Sequence, residues 1–187
     1  MYKSLPFAGI LLGLLATAGC KKDPTELDRL PEATREGKGT AGFLRDGKAW
    51  LPLVSDQTGY PAVNGSWRRT RSGRSLSLSF TRIADNEYTG AGFFLPDIRQ
   101  PGAFPLNQVP AITNGRNNVG FGEYGSQRPS PGTSFYTGPA APGELVITRF
   151  DTVHNVVSGT FEMTPREEGG TATVAVTAGR FDLHFDR

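Results

Sequence analysis

The chain has 187 residues, with 20 Lys and Arg against 18 Asp and Glu, a formal charge of +2. A balance this close to neutral gives no footing to a nucleic-acid partner, and a single cysteine excludes an internal disulfide. With 24 glycines and 14 prolines, the composition argues against a helical protein and for many short strands joined by turns.

In chain order, Lys3 precedes an almost unbroken apolar run over 5–18. At about 14 residues it would span roughly 21 Å as a helix, short of a hydrocarbon core of about 30 Å. It reads as the hydrophobic part of an export signal, residues 1–19. Ala18-Gly19-Cys20 then resembles the bacterial lipobox, whose cysteine is acylated and becomes the new N-terminus; Thr17 stands where that motif favours leucine. The alternative is ordinary cleavage at Thr17-Ala18-Gly19, leaving a soluble protein with a free thiol. Residues 20–39 are charged and poor in apolar side chains, and read as a lipidated flexible tether with at most one helical turn around Leu27 and Leu30. Fully extended, such a tether reaches roughly 60 Å. Lys21 replaces the aspartate of an inner-membrane retention signal, which favours the outer membrane.

From residue 40 to 187 the pattern predicts one all-β domain, an antiparallel β-sandwich of about eight or nine strands, with a closed barrel as the alternative. Asp46-Gly47 between 42–45 and 48–51 is a two-residue hairpin signal that places Phe43 opposite Trp50. Residues 75–80 alternate, leucines and Phe80 inward and serines outward. Further strands are expected at 86–95, 118–124, 133–136, 144–150 (a central strand), 156–163 and 171–185. In the last, Val174 and Val176 differ in parity from Phe181, Leu183 and Phe185, which calls for a bulge at Ala178-Gly179. Residues 96–142 hold eight prolines and read as long loops, the usual place for binding.

Few residue patterns point to chemistry. Gly120, Gly122 and Gly125 match a dinucleotide fingerprint in spacing, but prolines follow where a helix must start, so they read as a glycine-spaced strand. His154 and His184 read as solvated surface, not zinc ligands. No nucleophile elbow or metal-binding histidine pair is present, and no cofactor is called for. Asp85, Glu87, Asp97, Glu123 and Glu144 offer carboxylates for a glycosidase, with nothing to single out two of them. Trp67, Arg68, Arg69, Arg71 and Arg74 form a basic patch. It reads first as a hairpin with arginines facing solvent, and alternatively as a grip for phosphate or sulfate on a glycan or lipid. Asp151-Thr152-Val153 resembles the O-glycosylation sequon of Bacteroidetes, with Thr152 as acceptor.

The stretch Cys20 to Lys38, with Leu30-Pro31-Glu32-Ala33-Thr34-Arg35-Glu36-Gly37, and the hairpin Asp46-Gly47-Lys48-Ala49-Trp50 resemble a family of small Bacteroidetes lipoproteins. So do Gly143–Asp151, 157–162 and 176–182; the proline-rich middle is unmatched, and Ala178 stands where Asn or Asp is expected. The resemblance implies a cell-envelope location and an all-β fold, and no particular activity. The functional expectation is a non-catalytic outer-membrane lipoprotein that binds an envelope protein or glycan. The alternatives are a polysaccharide hydrolase and a small-ligand carrier with an apolar barrel lumen.

Overall fold

A computed structural model describes residues 23–55, 59–70, 73–84, 86–110, 119–128 and 130–187. Cys20, expected to be the lipid-attachment residue, Arg71 and Asp85 therefore lie outside the described residues. After a single 3₁₀ turn at Leu27–Arg29, the chain forms β1 (Thr40–Arg45), β2 (Lys48–Trp50), β3 (Val63–Thr70), β4 (Gly73–Ala84), β5 (Glu87–Leu95) and β6 (Gly102–Pro105). There follow β7 (Phe121–Arg128), β8 (Thr133–Tyr136), β9 (Gly143–Asp151), β10 (Val156–Met163), β11 (Arg166–Glu167) and β12 (Val176–His184). They build two antiparallel six-stranded sheets, ordered β2-β1-β12-β10-β9-β6 and β11-β8-β7-β5-β4-β3. The fold is a β-sandwich, not a closed barrel. The described strands number twelve, against the eight or nine expected, and β9 lies one strand in from the edge, between β10 and β6.

Local sequence explains the main elements. Asp46 and Gly47 have φ of 51° and 80°, the doubly positive pair that a type I′ turn demands. The hairpin pairs Phe43 with Trp50, and their rings stack at 4.5 Å. Trp50 donates its indole N–H to Thr89 Oγ1 (3.0 Å), joining the two sheets through a satisfied polar handle. In β4, Leu76, Leu78 and Phe80 are buried as the alternation requires; Ser75, expected outward, is buried on the opposite face. Phe161 is the hub of the core, within 4.6–5.9 Å of Phe43, Phe80 and Phe93 and 6.3 Å from Phe181. These rings pack together in the space between the sheets.

The parity change in the last strand is a bulge. Gly42 pairs with Arg180 but Leu44 with Thr177, so β12 carries one extra residue opposite Phe43. Ala178, with φ of 51°, absorbs it, and both Val176 and the Phe181-Leu183-Phe185 set reach the core. The proline-rich stretch is more than loop: it supplies β6, β7 and β8 and buries Ile98 and Leu106.

The expectation of a flexible tether over 20–39 is corrected from Thr25 onward. Leu30 is buried, and Glu26 Oε2 accepts the N–H of Ala49 (2.7 Å). The buried carboxylate of Asp182 accepts hydrogen bonds from Thr34 Oγ1 (2.6 Å) and the N–H groups of Glu36 (2.9 Å), Gly37 (2.7 Å) and Lys38 (3.2 Å). Ser158 Oγ donates a fifth at 2.6 Å. The segment is a strap pinned to the sandwich by a carboxylate far along the chain, held largely through its backbone donors.

Candidate functional site

The β3–β4 hairpin carries the basic patch. Trp67 pairs with core-facing Leu76, so Arg69 and Arg74, which pair with each other, share the inward face with Trp67; Arg68, opposite Ser75, takes the outer one. Arg68 and Arg69 are both exposed to solvent, as expected of the hairpin, whereas Arg74 is half-buried against Trp67. Trp67 packs edge-on against Phe150 (5.4 Å) and Phe185 (6.0 Å), and its indole N–H bonds the Ile98 carbonyl (3.1 Å). Held in this way, its ring supports the Arg74 guanidinium at 4.4 Å, a cation–π contact. Beyond it opens a recess of about 590 Å³ at the end of the sandwich, lined by Trp67, Arg69, Arg74, Asp97, Arg99 and Thr152 together with Gly73.

Charge in this recess is unbalanced. Asp97 accepts two hydrogen bonds from Arg99, at 3.1 and 3.3 Å, and so answers that guanidinium. Arg69 and Arg74 make no ion pair among the described residues. Like charges directly opposite across an antiparallel pair repel, so the arrangement favours an anion between them. Sequence reasoning missed Asp97 and Arg99 here. The turn signal Pro96-Asp97 marks the bend, but not that it folds against Gly73, where a Cβ would lie 2.4 Å from Asp97 Oδ1.

Thr152 lies at the turn between β9 and β10, on the wall of the same recess. The aspartate of its sequon has a structural task. Asp151 accepts from Arg149 (2.7 Å), the N–H groups of Val153 (2.9 Å) and His154 (3.0 Å), and meets His154 Nδ1 at 2.8 Å. The Arg149 bond, followed by those from His154, holds its carboxyl well below the usual range. His154 and His184 are both exposed, and His184 Nδ1 lies 3.2 Å from the His154 carbonyl.

Carboxylates line other recesses too, and two of these hold Glu144 and Glu123. Glu144 and Glu162 pair directly across β9 and β10, beside Ala178 and Arg180, in a recess of about 380 Å³. Both are exposed, and Arg180 is occupied with the carbonyls of Pro31 and Ala178. Glu123 stands alone in a trough of about 300 Å³ over Gly90, Gly92 and Gly125 on the outer face of the second sheet. The glycine-spaced motif is indeed strand β7. Burial by the trough walls pushes the Glu123 carboxyl up. The first of these recesses has two carboxylates, both exposed, and in the second Glu123 has no other carboxylate in the lining among the described residues, whereas acid-base glycoside chemistry pairs two carboxyls in unlike environments. No family model matches the chain, and no curated protein and no solved structure matches it.

Proposed function

We propose that the protein is a lipoprotein of the cell envelope, acylated at Cys20 and held on the outer membrane, whose sandwich is a non-catalytic module binding an anionic envelope glycan. The anchoring half rests on the short apolar leader and the solitary cysteine at its end. The binding half rests on one observation: Arg69 and Arg74 pair directly across β3 and β4 beside the Trp67 ring, and neither makes an ion pair among the described residues. Planar forks suit the oxygens of a phosphate, sulfate or carboxylate, and an aromatic face suits the apolar side of a sugar. The resemblance to small Bacteroidetes lipoproteins agrees with the location and is part of this proposal. The Glu144–Glu162 pair is where a polysaccharide hydrolase would place its chemistry; its exposure is why binding is preferred.

Calorimetry with a sulfated oligosaccharide and its desulfated counterpart tests the binding half. The expected result is binding of the sulfated ligand that weakens with salt and falls at least about tenfold in the Arg69→Ala/Arg74→Ala double variant, for loss of two charge-assisted contacts. Equal affinity for both ligands, or an unchanged double variant, contradicts it.

A further inference from the structure

Among the described residues six large apolar side chains are exposed, and four of them, Leu27, Leu51, Leu53 and Tyr60, lie in one region. Backbone hydrogen bonds gather them. Thr81 accepts from the Leu53 N–H (3.0 Å) and donates to the Ala62 carbonyl (2.8 Å), which brings 53 and 60–62 to one place. Leu51 shares an open recess with Arg29, Pro31 and Pro61, and Glu26 fixes the residue before Leu27 to β2. The strap leaves the sandwich at this same region. Because its first bond to the sandwich is made by Glu26, only Cys20 to Thr25 remains as a leash, at most about 20 Å when extended. A body so close to an acylated residue cannot stand clear of the headgroups.

We infer that this face, with Leu27, Leu51, Leu53 and Tyr60 at its centre, lies against the lipid surface; the inference rests on the acylation of Cys20 proposed above. Apolar side chains and a tyrosine suit the interface, and Arg29 beside Leu51 suits anionic headgroups. The orientation has a consequence for binding. Strand β3 starts at Val63 beside this face and ends at Thr70 by the arginine recess, a strand of eight residues. At about 3.3 Å per residue its seven steps carry the recess up to about 23 Å from the membrane.

The test uses the mature protein, its acylation verified by intact mass, in phosphatidylethanolamine–phosphatidylglycerol vesicles containing acyl-brominated lipid. A Tyr60→Trp reporter is expected to be quenched at least about twofold more than the wild type, whose Trp50 is buried and whose Trp67 lies at the far end. Adding Leu51→Asp and Leu53→Asp is expected to remove that extra quenching while the protein stays on the vesicles. Acylated, vesicle-bound protein with an unquenched reporter, or quenching that survives the aspartates, overturns the lipid-facing surface and leaves the anchor standing. An unmodified cysteine with no vesicle association overturns the anchor, and the surface with it.

Discussion

Asp182 shows how one side chain organises a segment far from it. Burial alone would raise its carboxyl, but the hydrogen bonds from Ser158, Thr34 and the strap amides outweigh burial and hold it well below the ordinary range. A carboxyl lowered in the folded state adds stability that is fully present above its unfolded pKa, about 3.9, and is lost as pH falls below that value towards the folded one. Strap release is therefore expected only in strong acid, followed by hydrogen exchange at Glu36, Gly37 and Lys38. Asp182→Ala should cost about 3 kcal/mol in denaturant unfolding at pH 7, because it strands buried donors of the strap and Ser158. Unchanged stability with unchanged amide protection would show the strap to be held by other contacts. Nothing within 25–39 announces this docking: its partner is about 145 residues away, and a peptide N–H leaves no mark in composition. Thr34 and Gly37 in the resembled motif are now intelligible as a hydroxyl donor and a positive-φ residue (78°) of the strap.

Strand β12 carries the sharpest agreement between pattern and element. The parity change between Val176 and Phe181 was legible because a sandwich core punishes a side chain on the wrong face. The residue taking the strained conformation was not: the glycine beside it suggested Gly179, whereas Ala178 has the positive φ. The packing explains why they are not exchanged. A Cβ on Gly179 would lie 2.4 Å from the Phe161 ring, so this position needs absence of a side chain more than backbone freedom. Ala178→Gly should stabilise the protein by about 0.5–1 kcal/mol by relieving the left-handed alanine. Gly179→Ala should destabilise it by about 2–3 kcal/mol by overpacking the Phe161 hub. Thermal denaturation of the two variants checks both signs, and the reverse order would place the bulge strain elsewhere. Two short strands were missed for simpler reasons: the two residues of β11 are too few to show an alternation, and β6 lies in the proline-rich stretch that reads as loop.

At the scale of the molecule, the class of fold was open to reading, because alternation, turn residues and glycine content agree on a sandwich. The recess was half open to reading. The arginines were visible as a run, but the division that puts Arg69 and Arg74 on the Trp67 face and Arg68 on the other depends on the β3–β4 register. In the proposed arrangement the surfaces fall into an order: leader and leash, apolar face, sandwich, and arginine recess at the far end. That order has meaning only if the chain begins, after processing, at an acylated cysteine. Intact-mass measurement of the mature protein from membranes tests this most directly. The account predicts a product starting at Cys20 and carrying the added mass of a diacylglyceryl group with a further acyl chain. A product with an unmodified thiol, whatever its first residue, would contradict it.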